Sequence, residues 1–157
     1  MPEDTYNQWA TIIGEVILGF GSIECWIRSL VEFSSGDEGH VYQADGFEGR
    51  INRVISILKQ GPECFVARKY DKERLTSALV SARDLKSVRN NIAHNPLEIC
   101  SGMLIVYDAS ATESTGDVSY SQYTLEELRG VRVQLNSLLK EIRFIMQVDG
   151  GDELAGG

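Results

Sequence analysis

Arg89-Asn90-Asn91-Ile92-Ala93-His94 is the chain's most compact chemical group. It sets an arginine, an amide and a histidine within two turns of one expected helix. His94 is one of only two histidines in 157 residues. Arginine offers a planar fork of donors suited to a phosphate, and histidine moves protons near neutral pH. No acidic residue or cysteine interrupts the segment to suggest a metal ligand set. These residue types suit phosphodiester cleavage in RNA: the 2′-hydroxyl attacks, histidine transfers protons, and arginine stabilises the charged phosphorane. A purely structural reading covers the same residues, because histidine caps helix C-termini and arginine snorkels from apolar faces.

The helix carrying this group is expected to start near Asp71, a good N-cap. It must end at about His94, because Pro96 disfavours helical geometry at Asn95. At about 100° per residue, Leu75, Ala78, Leu79, Ala82, Leu85, Ile92 and Ala93 form its apolar arc. Arg89 projects into that arc between the directions of Ala78 and Ala82, a costly position unless it is paired or lines a cleft. Arg83, Asn90 and His94 share the neighbouring polar stripe, with Lys86 nearby. Arg89 and His94 point about 140° apart, a gap that a long arginine can bridge. The helix macrodipole at His94 favours the imidazolium.

Three other helices frame this one. Asp4 or Thr5 caps the first, whose apolar residues Trp9, Ile12, Ile13, Val16, Phe20, Ile23, Ile27, Leu30 and Val31 recur at helical spacing until Ser34-Ser35-Gly36. Gly14, Gly19 and Gly21 either admit a close neighbour or let this helix bend. A polar loop over 36–46, holding His40, leads to a second helix over about 47–60 that buries Phe47, Ile51, Val54, Ile55 and Leu58 and stops at Gly61-Pro62. Residues 63–70 read either way. Ile99 to Tyr107 and Val118 to Tyr123 alternate as two strands joined by a Ser/Thr/Gly-rich loop, a β-hairpin over about 99–123. Thr124 and Glu127 form a capping box that opens the last helix. The expectation is an all-α four-helix bundle over 1–148, with a small β-hairpin insertion between the third and fourth helices and a flexible acidic tail over 149–157.

Bulk properties fit one ordinary globular domain, 43% hydrophobic and 24% charged. The net charge of −8 is uneven. From Arg50 to His94 there are ten Lys and Arg against four Asp and Glu; elsewhere there are five against nineteen. Such asymmetry suits a local anion site on a repelling body, or equally a basic helix face paired with acidic neighbours. Cys25, Cys64 and Cys100 are odd in number and widely spaced, with no CxxC pair. They read as small buried hydrophobes of a reducing cytoplasm, not as a disulfide framework or zinc site. The apolar run over 12–33 carries Glu15, Glu24, Arg28 and Glu32, so a buried core helix is expected rather than a membrane span. The opening Met1-Pro2-Glu3-Asp4 lacks the pattern of a secretory signal. No cofactor is expected.

The Arg89–His94 segment resembles the R-x4-6-H motif of the HEPN superfamily, in which a polar residue, often Asn, follows the arginine. The motif's place, at the end of a third long helix in a bundle of this size, matches as well. Sequence-specific resemblance covers about residues 83–96. It implies a metal-independent endoribonuclease working as a homodimer, with two motifs facing across one composite cleft. His94 would then be the acid/base, Arg89 the phosphate-binding residue and Asn90 the residue that orients them. A dimer meets a chemical need, because cleavage takes an acid and a base while each copy carries one motif histidine. Members are frequent among bacterial toxins, paired with antitoxins or regulators, and among antiviral defence systems; others only bind nucleotide or RNA, or serve as scaffolds. An acidic residue, Glu24, would pair with Arg89; its local alternative is Arg28, four residues on. The hairpin departs from the minimal bundle.

Overall fold

The computed structural model describes residues 3–35, 46–59, 72–108 and 118–147. Among these residues lie five helices: α1 (Glu3–Ser35), α2 (Phe47–Lys59), α3 (Lys72–Asp84), α4 (Lys86–His94) and α5 (Leu125–Gln147). Three strands, β1 (Leu97–Cys100), β2 (Met103–Tyr107) and β3 (Tyr120–Thr124), separate α4 from α5. The chain is therefore mostly helical with a three-stranded antiparallel sheet, not an all-α chain carrying one hairpin. His40, Cys64, the Gly61-Pro62 stop, residues 63–70, the Asp71 cap, most of the expected loops and the acidic tail lie outside the described residues.

Two expected elements divide. The long third helix breaks at Leu85, where φ −86° and ψ 3° leave α-helical geometry. The amide of Arg89 still donates to the Leu85 carbonyl at 3.1 Å, opening α4 as a helix of its own. The expected strand over 99–107 instead folds back on itself. Ser101 at φ 51° and Gly102 at φ 77° form a two-residue turn with both φ positive, the geometry whose twist suits a tight hairpin. Leu97 thus pairs with Val106 and Cys100 with Met103.

The chain falls into two compact units by its internal contacts: residues 1–20 with 85–135, and residues 21–84 with 136–157. In the first unit, α1 contributes buried Trp9, Ile12, Val16 and Phe20, and α5 contributes Leu128 and Leu135. Gly19 lets the two helices approach, since a Cβ there would sit 3.0 Å from Leu135 Cδ1. Glu15 and Arg132 join the same pair of helices at 2.9 Å. The sheet runs β1-β2-β3. Leu104 and Val106 of β2 are buried, opposite Tyr123 and Ser121 of β3, and α4 lies against β2. The capping box forms as expected: Glu127 N–H donates to Thr124 Oγ1 at 3.1 Å, and Thr124 N–H to Glu127 Oε2 at 2.6 Å. The Thr124 N–H and the Thr124 hydroxyl, both donating to Glu127 Oε2, hold that carboxyl below its ordinary range.

In the second unit, α1 contributes buried Ile23, Ile27 and Leu30. The buried face of α2 is Phe47, Ile51, Val54, Ile55 and Leu58, as its periodicity requires. Leu75, Ala78, Leu79 and Ala82 line α3, and Leu139, Ile142 and Ile145 line α5. Arg74 of α3 meets Glu141 of α5 through two bonds of 2.8 and 2.9 Å while covering the Phe144 ring at 5.2 Å.

Three expectations need adjusting. α1 starts at Glu3, so Asp4 and Thr5 sit in its first turn instead of capping it. Cys25 and Cys100 are exposed, not buried, because each faces away from the apolar side of its element. Over Glu3–Leu30, α1 is long and apolar enough to cross a membrane by length and composition, yet it also buries a row of side chains at steps of three and four.

Two outcomes follow from these local geometries. Ser101→Asn should raise stability by up to about 1 kcal/mol and Ser101→Val should lower it by about 1–2 kcal/mol, because asparagine tolerates positive φ and a β-branched residue does not; urea melts that rank Val above Asn would exclude this turn. Glu127 has a depressed folded value, so its contribution is present above its ordinary 4.5 and is lost as pH falls through the folded value. The stability gap between wild type and Glu127→Gln should therefore narrow below about pH 4.5; a gap unchanged from pH 7 to pH 3 would disprove the cap.

Candidate functional site

α4 is a nine-residue helix, short enough that its neighbours must hold it. It stops where Pro96 demands: Asn95 is extended, at φ −115° and ψ 154°. Ile92 is its one wholly buried side chain. Asn91 supplies the second hold. Its Nδ2 donates to Ser121 Oγ at 3.2 Å and to Tyr123 Oη at 2.8 Å, tying α4 to β3. Sequence reading passed over this role. Its signals were an asparagine inside a helix, where that residue is a poor helix former, and Ser121 and Tyr123 two apart on one strand face.

Arg89, Asn90 and His94 come together on this helix. Arg89 is half-buried, while Asn90 and His94 are exposed. Arg89 Nη1 donates to Asn90 Oδ1 at 3.1 Å and meets His94 Nε2 at 2.7 Å. The arginine thus spans the gap between the two directions and serves as the hub of the three. The arc shared with Ala78 and Ala82 does not survive, because those residues belong to α3 and the helix breaks at Leu85.

The Arg89–His94 contact can run in one direction only as a hydrogen bond. A guanidinium has five N–H donors and no acceptor. His94 Nε2 must therefore accept, so it carries no proton, and the neutral ring keeps its hydrogen on Nδ1.

The remaining candidates are placed as follows. Lys86 occupies the first turn of α4 and is exposed. Glu24 meets Arg50 of α2 at 3.6 Å, a partner that neither sequence expectation included. Arg83 donates to Asn52 Oδ1 of α2 at 2.8 Å, so this member of the expected polar stripe is engaged by its own helical unit. With Arg74 on Glu141, much of the described basic stretch is matched by acceptors, as the reading of a basic face with acidic neighbours requires.

Two further features belong to the first unit. On the sheet face away from α4, Tyr107 Oη donates to Glu98 Oε2 at 2.7 Å, and that bond pushes its hydroxyl above the ordinary 10.0. An open cleft of about 480 Å³ lies between α1 and α5, edged by Asn7, Gln8, Thr11 and Arg129. Its arginines already meet carboxylates, Arg132 with Glu15 and Arg129 with Glu126. Among the described residues no three His, Cys, Asp or Glu side chains cluster to hold a metal ion.

Comparison with protein-family models, curated proteins and solved structures finds no match to this chain.

The hub role of Arg89 can be read directly. In wild type at pH 8, ring ¹⁵N shifts of His94 should show the proton on Nδ1. Arg89→Met should remove that bias and bring the two ring shifts closer together. A wild-type ring protonated on Nε2 would show that the contact does not form in solution.

Proposed function

We propose that this chain is a metal-independent endoribonuclease of the HEPN type, acting as a cytoplasmic homodimer in the manner of a toxin or antiviral defence factor. The observation that supports it most is the single guanidinium nitrogen shared by Asn90 and His94 on one short helix. It joins a phosphate-binding fork to a histidine whose Nε2 is in its basic form.

In the proposed reaction, Arg89 turns from His94 to the scissile phosphate. His94 Nε2 of one copy then takes the 2′-hydroxyl proton as O2′ bonds to phosphorus. The P–O5′ bond breaks, and a protonated His94 of a second copy supplies the hydrogen to O5′. The products are a 2′,3′-cyclic phosphate end and a 5′-hydroxyl end. Arg89 stabilises charge on the phosphorane, and Asn90 orients Arg89. One motif provides a base without a separate acid, which is the chemical argument for the dimer. Glu24, Arg83 and Lys86 stand as supporting residues, and an antitoxin or regulatory protein is the further partner this reading carries.

A second reading is a non-catalytic nucleotide- or RNA-binding module, a homodimer using the same basic group. It is favoured by one fact: Arg89 occupies the nitrogen that acid–base work requires. RNA incubated with the protein in EDTA separates the two. Catalysis predicts cleavage with cyclic-phosphate ends, reduced at least about 100-fold in His94→Ala and in Arg89→Ala. Binding that survives in His94→Ala, with no cleavage by wild type, selects the second reading. A wild-type protein that neither binds nor cuts RNA sinks both.

A further inference from the structure

We infer that Asn91 is a positioning residue: by sharing its amide between Ser121 and Tyr123 it sets the rotation of α4, and with it the Arg89–His94 contact. This inference rests on the proposed function where it concerns turnover, and on geometry alone where it concerns the histidine.

α4 is short. It spans nine residues, has no side-chain cap at Leu85, and buries only Ile92 completely. One buried side chain resists lifting of the helix from the sheet better than it resists turning about the helix axis. A turn of about 10° at a side-chain radius of about 5–6 Å moves a group by about 1 Å. A misplacement of that size costs about 100-fold in a reaction that depends on alignment. The 2.7 Å contact between Arg89 and His94 is equally sensitive to it.

Asn91 opposes that turn because both of its amide hydrogens are used, at 3.2 and 2.8 Å. The acceptors sit on a firm support. Ser121 and Tyr123 lie two apart on one face of β3, in register with buried Val106 and Leu104 of β2. β3 then runs straight into the Thr124 capping box of α5. The path from core to motif is therefore short: buried β2, paired β3, the Asn91 amide, and the next residues in either direction, Asn90 with Arg89 and Ile92 through His94. Asn91 touches neither Arg89 nor His94 in this scheme; it acts through the helix.

The experiment uses the full chain labelled with ¹⁵N-histidine, with the His94 signals assigned by their loss in His94→Ala. Asn91→Ala, Tyr123→Phe and Tyr107→Phe are compared with wild type at a temperature where circular dichroism shows each folded. Tyr107 is the control, since its hydroxyl bonds Glu98 on the opposite sheet face. The His94 ring shifts should move towards those of Arg89→Met in Asn91→Ala, move part of the way in Tyr123→Phe, and stay in place in Tyr107→Phe. Where RNA is cleaved, kcat should fall about 100-fold in Asn91→Ala with KM little changed. His94 shifts that match wild type in folded Asn91→Ala and Tyr123→Phe overturn the inference. Tyr123→Phe removes one hydroxyl, so it answers the question even where Asn91→Ala does not fold. A wild type that cuts no RNA counts against the ribonuclease reading alone, because the ring shifts still decide the role of Asn91.

Discussion

At Leu85 a ψ of 3° ends the run of α-helical peptides that began at Lys72, and the helix that follows has to be held by something else. Had the helix continued, the apolar arc of Leu75, Ala78, Leu79 and Ala82 would have set the angle of every residue up to His94. The break passes that task to the sheet. Ile92 sinks into the first unit, α4 rests against β2, and the Asn91 amide reaches Ser121 and Tyr123. The three strands are thus the support of the candidate site, and the tight turn at Ser101-Gly102 is what makes room for the third strand.

Electrostatics then narrows what the site can do. Most of the arginines described between Arg50 and Arg83 meet acceptors close by: Arg50 with Glu24, Arg74 with Glu141, Arg83 with Asn52. The two carboxylate partners, Glu24 and Glu141, offset local positive charge, whereas the amide of Asn52 leaves that of Arg83 in place. Arg89 differs in kind, because one of its nitrogens is spent on a histidine nitrogen and an amide oxygen.

Much of this was legible from residue types and spacing. Period 3.6 identified the buried face of α2 residue by residue, and the period-2 alternation near Tyr123 revealed strands. Thr124 with Glu127, and Pro96 after Asn95, are local signals whose physics lies within a few bonds, and both hold. The break at Leu85 was not legible: no glycine or proline marks Ala82 to Lys86. The turn at Ser101-Gly102 left a trace in its Ser-Gly pair, obscured by apolar residues on both sides. Cys25 and Cys100 misled because composition speaks of compartment, not of which way a side chain faces.

The sequence by itself determined the kinds of element, the buried stripes, the capping of α5 and the membership of the Arg89, Asn90 and His94 group. These depend on neighbours within one or two turns, where backbone geometry leaves little choice. Only the tertiary structure decided that the helix is interrupted at Leu85, that Glu24 meets Arg50, and that Asn91 is the tie to β3. It also placed the Arg89 guanidinium against His94 Nε2, five residues on. Contacts across thirty residues are chosen by how whole elements pack, and no periodicity within one element records that choice.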